Sequence, residues 1–181
     1  LLGAPGYTRA AVDAAGAFLY LGSAAGLAAA PDWATAADQA HVGFGSAVAS
    51  GGDTNGDGYG DVLVSAPWYD LGGRETGAAF LYLGSASGPS ATPAWIAASA
   101  TGITALDRPA LAAADLDADG YDDLVVGAAG AGETAPGDGV TFLFLGSPTG
   151  PSTVADGRVW SEQRAARLGA SVAAGDIDGD G

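Results

Sequence analysis

Asp53-Thr54-Asn55-Gly56-Asp57-Gly58-Tyr59-Gly60-Asp61 is the stretch of sequence on which the interpretation of this chain depends. Oxygen-bearing side chains stand at positions 1, 3, 5 and 9 of the stretch, and Gly58 stands at position 6. Glycine allows the positive φ that a sharp turn at this position requires. The spacing therefore predicts a tight loop around a hard cation, and Ca²⁺, which takes about 6–8 oxygen ligands at roughly 2.3–2.6 Å, fits it best.

The same pattern recurs along the chain. It returns as Asp115-Leu116-Asp117-Ala118-Asp119-Gly120-Tyr121-Asp122-Asp123, and its opening half returns as Asp176-Ile177-Asp178-Gly179-Asp180-Gly181. The three segments, here named loop A (53–61), loop B (115–123) and loop C (176–181), begin 62 and 61 residues apart. A nearly constant period indicates a repeat architecture. The predicted ligands are Asp53, Asn55, Asp57, the Tyr59 carbonyl and Asp61 in loop A; Asp115, Asp117, Asp119, the Tyr121 carbonyl and Asp123 in loop B; and Asp176, Asp178 and Asp180 in loop C.

We expect about one structural Ca²⁺ in each of the two complete loops and regard loop C as truncated. An EF-hand would need a bidentate acid at position 12, where this chain has Val64 and Val126 within strand-like runs. Polar turns that bind nothing are the other alternative. Loop B offers four Asp side chains where loop A has three and Asn55. Ligand charge therefore predicts tighter binding in loop B.

Composition excludes several functions. The chain has 181 residues, a net charge of −15 and no Lys, so the phosphate attraction that drives nucleic-acid binding is missing and an anionic membrane would repel it. There is no Cys, which excludes disulfides and thiolate chemistry. The uncharged segment 14–30 contains several glycines and recurs one period later, so we predict no membrane insertion. Oxygen-ligand loops of low affinity suit calcium-rich surroundings, which favours a secreted or cell-surface location.

Short apolar runs between turn signals recur with the same period. No helical periodicity is evident, and four short strands per repeat of about 60 residues predict a four-stranded antiparallel blade of a β-propeller, an all-β fold. The repeated runs are Leu1–Pro5, Leu63–Pro67 and Val125–Ala129; Phe18–Ser23, Phe80–Ser85 and Phe142–Ser147; and the inner strands Phe44–Ala49, Pro109–Ala113 and Leu168–Ala173. Trp33, Trp95 and Trp160 recur on or beside an outer strand, and blade-to-blade packing is a better interpretation of them than sugar stacking.

Phe44-Gly45, loop A and Ser65-Ala66-Pro67 together resemble the FG-GAP repeat, the blade unit of the integrin α-chain β-propeller and of many bacterial extracellular proteins. Gly3-Ala4-Pro5 matches the second half of that signature. The third repeat departs from it, with Pro109-Ala110 in place of Phe-Gly and Gly127-Ala128-Ala129 in place of the Pro-containing turn.

In register with that family, the chain is one partial propeller. Residues 1–39 are the last three strands of a blade, 40–102 and 103–163 are full blades, and 164–181 begin a further blade. We expect the remaining blades of the propeller to lie in a longer parent protein, since a closed ring needs roughly 4–8 blades.

The resemblance also implies a ligand-contacting face, formed by variable loops at the end of the blades opposite the calcium loops. Exposed aromatic residues and Arg are the usual hot-spot types in such a face, although ordinary solvated loop residues remain an equal alternative. The candidate partner-binding residues are Tyr7, Arg9, Trp68, Tyr69, Asp70, Arg74 and Glu75.

The function we favour from sequence is a calcium-stabilised extracellular binding or adhesion module that contacts a protein or glycan. No catalytic residue is predicted. His41 is the only His, and Gly43-Phe44-Gly45-Ser46 is not followed by the helix of a nucleophile motif. The alternatives are a non-catalytic part of a secreted propeller-containing hydrolase or lyase, and a structural assembly unit.

Overall fold

The computed structural model describes residues 1–7, 15–71, 76–98, 106–107, 109–132 and 136–176. Strands and turns make up these residues, and among them there is no helix of the length and apolar character needed to cross a membrane. The strands are β1 (Leu2–Ala4), β2 (Gly16–Leu19), β3 (Gly22–Ser23), β4 (Gly26–Leu27), β5 (Trp33–Ala36), β6 (Val48–Gly52), β7 (Asp61–Ala66), β8 (Ala78–Tyr82), β9 (Trp95–Ala97), β10 (Pro109–Ala114), β11 (Asp123–Ala128), β12 (Val140–Phe144) and β13 (Gly157–Trp160).

The strands form three successive antiparallel sheets. The first sheet has the order β1-β2-β5, the second β6-β7-β8-β9 and the third β10-β11-β12-β13, while β3 and β4 pair as a small hairpin. Each neighbouring pair within the second and third sheets is antiparallel. The structure therefore confirms the prediction of an all-β chain with four-stranded antiparallel units.

The second sheet lies between two cores. Every residue of β7 and β8 is buried, and because side chains alternate across a strand, the two faces enter different clusters. Leu63 and Leu81 pack with Leu124 and Phe142 of the third sheet. The opposite face of β7 and β8 packs toward the first sheet, with Val62, Val64, Phe80 and Tyr82 in one cluster with Ala17. Sheets stacked face to face in this way are packed as propeller blades.

Tryptophans on the outer strands join successive sheets. The indole N–H of Trp33 in β5 donates to the Ser90 carbonyl of the second sheet at 3.1 Å, and its ring packs edge-on against Tyr82 at 5.2 Å. Trp95 in β9 repeats the arrangement with the third sheet, donating to the Ser152 carbonyl at 2.9 Å. Its ring packs edge-on on Phe144 at 5.0 Å. These contacts confirm the predicted blade-to-blade role for Trp33 and Trp95.

The third tryptophan differs. Trp160 in β13 is 38% exposed, and the Arg158 guanidinium lies 5.5 Å from its ring centroid. Trp160 pairs with Val140 of β12 in the same sheet, so the aromatic contact between sheets that Trp33 and Trp95 make is not described for it.

The inner strands depart from the sequence prediction. The second sheet's inner strand begins at Val48, because Phe44 to Ala47 turn, with Gly45 at a φ of 84°. Within residues 164–176, the predicted strand Leu168–Ala173 is reduced to a single bridge between Leu168 and Gly139. An inner strand such as β6 is held by the strand that follows it, and the described part of segment 164–176 contains no such neighbour.

The prediction that Pro109-Ala110 takes the place of Phe-Gly in the third repeat was also wrong. Pro109 and Ala110 open β10, where they pair with Ala128 and Gly127. Leu106 lies nine residues before loop B, as Phe44 lies nine residues before loop A. Phe44 and Leu106 are both completely buried, so a different apolar residue fills this place in the third sheet.

Candidate metal centre

Loop A joins β6 to β7 and is organised by its first carboxylate. The Asp53 side chain accepts hydrogen bonds from the backbone N–H groups of Asp57 (3.0 Å) and Gly58 (2.8 Å). Gly58 has a φ of 86°, which turns the chain back toward Asp53. The Asp57 carboxylate then accepts from the Tyr59 N–H at 2.9 Å and from the Asn55 side-chain amide at 3.0 Å. These bonds fold the backbone of loop A around the Asp53 carboxylate, but its three acids are not among the described groups of carboxylates close enough to share one ion.

Loop B, between β10 and β11, has the same pattern of hydrogen bonds from the backbone to its carboxylates. Asp115 accepts from the N–H groups of Asp119 (3.1 Å) and Gly120 (2.9 Å), and Asp119 accepts from the Tyr121 N–H at 3.0 Å. Gly120 has a φ of 92°. Carboxylate oxygens of Asp115, Asp117 and Asp123 all lie within 4.8 Å of one another. The structure therefore brings together three of the predicted loop B ligands.

The last acid of each loop is buried at the start of the following strand. Asp61 accepts from the N–H and hydroxyl of Thr54 (3.0 and 2.6 Å) and from the Gly84 N–H (2.8 Å). Asp123 accepts from the Leu116 N–H (2.9 Å) and the Gly146 N–H (2.8 Å). These bonds fix both carboxylates at the base of their loops.

Burial changes the electrostatics of these two acids. Desolvation raises the pKa of Asp61, and the nearby Asp57 carboxylate raises it further against the effect of its hydrogen bonds. Desolvation likewise raises the pKa of Asp123, with the Asp117 and Asp119 carboxylates adding to the shift. Buried anions surrounded by other anions are stabilised by a nearby cation. The donor set is entirely oxygen, which fits a hard divalent cation such as Ca²⁺.

Loop C is mostly outside the described residues. Asp176 is exposed, while Asp178 and Asp180 lie outside the described part of the chain. Its metal binding remains a prediction.

Sequence reasoning missed a contact between loops A and B. The Asp122 carboxylate accepts a hydrogen bond from the Asp53 N–H at 2.6 Å, and the Asp122 N–H donates to the Asp53 carbonyl at 3.1 Å. Asp122 stands at position 8 of loop B, which is not a ligand position, and position 8 of loop A is Gly60. The only signal in the sequence was this additional acid beside the ligand Asp123.

Trp68, one of the predicted partner-binding residues, lies at the other end of the second sheet. In β7 the chain runs from Asp61 beside loop A to Ala66, and the turn that follows carries Trp68. Trp68 is 56% exposed. Its backbone N–H donates to the Val42 carbonyl at 3.1 Å, and its ring lies against Gly43. The ring borders two open cavities of about 320 and 480 Å³. Trp68 is therefore a fixed and accessible aromatic surface.

The other candidates have mixed outcomes. Tyr7 is 44% exposed and packs edge-on against Phe18 at 5.2 Å. Asp70 is exposed, and its backbone is held by the Gln39 side chain. Tyr69 is buried, stacks edge-on on Phe80 at 5.0 Å and donates its hydroxyl to Asp38 at 3.0 Å. Its predicted place on an exposed recognition surface was wrong, because its ring fills space between the sheets. Arg9, Arg74 and Glu75 lie outside the described residues.

Comparisons with known proteins agree with this geometry. The family model for the FG-GAP repeat matches residues 44–82 and 109–144. The chain is 40% identical to human (Homo sapiens) integrin alpha-IIb over 94 residues, 51% of this chain and 9% of the integrin. It is 41% identical to integrin alpha-PS2 of Drosophila melanogaster over 91 residues, 47% of this chain and 6% of the integrin.

A relative of another kind aligns over a longer segment. Phosphatidylinositol-glycan-specific phospholipase D of Bos taurus is 32% identical over 137 residues, 71% of this chain and 16% of the phospholipase. The chain thus spans between 6% and 16% of the length of these relatives. The two segments matched by the family model begin at buried Phe44 and at Pro109 and end at the last residues of β8 and β12, so one includes loop A and the other loop B, each with the hairpin that follows. The chain therefore contains two FG-GAP repeats, which lie in its second and third sheets and identify these sheets as β-propeller blades.

Proposed function

We propose that the chain is a calcium-stabilised, non-catalytic binding module of an extracellular or cell-surface protein. The observation that supports this best is the separation of two kinds of surface at opposite ends of the same strands. Loop B gathers three carboxylates at one end, where it contacts loop A, and the exposed Trp68 stands at the other end. An ion at one end stabilises the hairpins, while the opposite end remains available for a partner.

Calcium has a structural role in this proposal. The loop ligands are all protein oxygens, so one Ca²⁺ in each of loops A and B would join the inner hairpin of its blade without an open position for chemistry. Asp53, Asn55, Asp57, the Tyr59 carbonyl and Asp61 would hold the ion in loop A. The corresponding residues Asp115, Asp117, Asp119, the Tyr121 carbonyl and Asp123 would hold it in loop B.

Thermal unfolding tests the calcium role. We expect two bound ions per chain by elemental mass spectrometry, and a melting temperature that rises with added CaCl₂ and falls with a chelator, since a ligand that binds only the folded state stabilises it by mass action. MgCl₂ at the same ionic strength is the control. A melting temperature that responds equally to both salts, or not at all, with no retained ion, would contradict the proposal.

The partner-binding face is proposed to centre on Trp68. Its ring rests with one side on the Gly43 backbone and is bordered by two open cavities, an arrangement that gives a large contact area at low entropic cost. The partner is a protein or a glycan. The similarity to integrin alpha chains favours a protein.

Binding to a panel of immobilised extracellular-matrix proteins and to a glycan array tests this face. We expect binding to at least one member in the presence of CaCl₂, with a loss of about tenfold or more in Trp68→Ala, as for a hot-spot residue. Trp160→Ala is the matched control, since Trp160 is also exposed but lies on an outer strand. Equal losses in both variants, or no binding at all, would exclude Trp68 as the centre of a recognition surface.

The phospholipase relative favours a second candidate, in which this module accompanies a catalytic domain in the same protein. The alignment over 137 residues covers more of this chain than the integrin alignments do. In that case the Trp68 face would contact another domain of the same protein. Binding of the isolated chain to a purified catalytic domain from the same protein, lost in Trp68→Ala, would distinguish this candidate from adhesion.

A further inference from the structure

Loop A is held by a residue of the next blade. Asp53 and Asp122 exchange two hydrogen bonds, in which the Asp53 N–H donates to the Asp122 carboxylate and the Asp122 N–H donates to the Asp53 carbonyl. A Cβ atom on Gly52, whose φ is 69°, would overlap the Asp122 carboxylate. The carboxylate therefore lies directly against the backbone from which the first ligand of loop A projects.

Two further contacts hold the same surfaces together. The Tyr121 ring packs on Gly56, close enough that a Cβ there would lie 2.6 Å from it. The Ser147 N–H donates to the Thr54 carbonyl at 3.2 Å. The first half of loop A thus rests on loop B and on the turn that follows β12.

Asp122 is placed so that a metal ion in loop B would fix it. Its neighbours in sequence are Tyr121, whose carbonyl is at ligand position 7, and Asp123, at ligand position 9. The corresponding position in loop A is Gly60, which has no side chain to offer another loop. In this contact, loop B therefore supplies the carboxylate and loop A supplies the backbone N–H.

We propose that Asp122 is a positioning residue that couples calcium binding in the two loops. An ion in loop B fixes the backbone on both sides of Asp122, and the fixed carboxylate holds Asp53 where loop A needs its first ligand. Occupancy of loop B then raises the affinity of loop A, and by thermodynamic linkage occupancy of loop A raises that of loop B by the same factor. This inference rests on the calcium binding proposed above.

Residue-resolved titration of the full chain tests the coupling. The Gly58 and Gly120 amides each donate to the first carboxylate of their own loop, so their ¹H–¹⁵N resonances report loops A and B separately. Free Ca²⁺ is set with a chelator buffer, and the midpoint is recorded for each amide. Asp117→Ala weakens loop B at an exposed ligand position, and Asp122→Ala removes the contact between the loops.

We expect Asp117→Ala to move the Gly58 midpoint to Ca²⁺ concentrations about fivefold or more higher, the lower end of common coupling factors. Asp122→Ala should do the same, and the double variant should move the Gly58 midpoint no further than Asp122→Ala alone. Asp122→Asn keeps an oxygen acceptor for the Asp53 N–H and should stay within about twofold of the unsubstituted chain. The matched control is Asp32→Ala, which removes a carboxylate that accepts one backbone N–H, from Leu21, in the segment between β2 and β5.

Each failure has a different meaning. If the Gly58 midpoint is unchanged in Asp117→Ala, the loops bind independently, and the coupling is excluded while the calcium function stands. If neither amide responds to Ca²⁺ in the unsubstituted chain, both proposals fail. A loss in Asp122→Asn as large as in Asp122→Ala would contradict positioning through the hydrogen bond. Should Asp122→Ala fail to fold, Asp117→Ala still decides whether the loops are coupled and Asp122→Asn whether the hydrogen bond carries the coupling.

Discussion

Two contacts join the three sheets, one between the first and second sheets and one between the second and third. In both, a tryptophan donates its indole N–H to a carbonyl of the next sheet and packs edge-on against an aromatic ring, an arrangement named here the tryptophan clasp, but its surroundings differ. At the first contact, half-buried Trp33 packs on Tyr82, beside a cleft of about 280 Å³ lined by Thr35, Tyr82 and other residues of both sheets. At the second contact, buried Trp95 packs on fully buried Phe144. The loop A to loop B contact reinforces only this second pair among the described residues.

The difference shows that the clasp by itself does not determine how closely two blades pack. A tyrosine hydroxyl at position 82 keeps a polar atom at the first contact, where the Thr35 hydroxyl reaches it at 3.4 Å. Phenylalanine at position 144 allows a dry contact, and Leu63, Leu81 and Phe142 complete it. We therefore expect the second contact to contribute more to the free energy of unfolding than the first.

The largest effect should follow truncation of the matched aromatic residues. Phe144→Ala leaves a cavity in a fully buried site and should lower the free energy of unfolding by about 3–5 kcal/mol. Tyr82→Ala enlarges a cleft that already exists, so its loss should be nearer about 2–3 kcal/mol. Urea unfolding in CaCl₂, followed by tryptophan fluorescence, measures both. Equal losses, or a larger loss for Tyr82→Ala, would remove the distinction between the two contacts.

A smaller effect is expected where loop A meets the third sheet. Gly52→Ala combines a left-handed backbone with overlap against Asp122 and should cost about 1–3 kcal/mol. Gly60→Ala is the control, because its nearest neighbour would be 4.0 Å from the new Cβ and should change stability by less than about 0.5 kcal/mol. Urea unfolding in chelator separates this cost from metal affinity. If Gly52→Ala leaves the free energy of unfolding unchanged, the two blades can move apart at this point with little loss of stability.

The clasp itself is tested by removing its hydrogen bond. Trp95→Phe leaves the half-buried Ser152 carbonyl without its indole donor beside a buried aromatic ring and should cost about 1–2 kcal/mol. Trp33→Phe should cost less than about 1 kcal/mol, since water reaches the half-buried Trp33 site more readily. Thermal unfolding of both variants in CaCl₂ makes the comparison. The reverse order would show that the first contact depends on its tryptophan more than the second.

The smallest effect is expected for the Ca²⁺ affinities of loops A and B when one ligand charge is changed. Asn55→Asp adds a carboxylate at position 3 of loop A and should strengthen its Ca²⁺ affinity by about fivefold. The attraction of the added charge to a divalent ion near 4 Å in water, about 2 kcal/mol, is partly offset by repulsion from the Asp53 and Asp57 carboxylates. The reciprocal Asp117→Asn in loop B should weaken binding by a similar factor. Both are measured from the midpoints of the Gly58 and Gly120 amides. An unchanged or weaker loop A in Asn55→Asp would show that backbone geometry, not ligand charge, sets the difference between the loops.

Much of this architecture could be predicted from the sequence because the chain repeats itself. The period of about 62 residues located the Asp loops, the apolar strands and the tryptophans, since residues in equivalent places of a repeat meet equivalent surroundings. The inner strands were predicted less well. A bulge between Ser50 and Gly52 shifts the β6 register, and Leu106 rather than Pro109 is the buried residue before loop B. Small residues carry little periodic signal, so their register depends on the neighbouring strand.

Contacts between repeats could not be predicted from the sequence. Nothing in the local pattern indicated that Tyr69 would turn inward to Asp38, or that Asp122 would bind Asp53. Nor did it indicate that Trp33 and Trp95 would each reach a carbonyl 57 residues away. Such contacts depend on how one blade is rotated on the next, which is a property of the assembled fold.

The sequence by itself determined the repeat, the all-β blades and the spacing of oxygen ligands in loops A and B, because each depends on residues close together in the chain. The tertiary structure alone decided which side chains are accessible and which loops touch. Trp68 remains exposed while its neighbour Tyr69 is buried, and one acid of loop B supports loop A. The physical reason is that burial and hydrogen bonding between blades are set by the packing of whole sheets, whereas a metal loop is set by the turn of its own backbone.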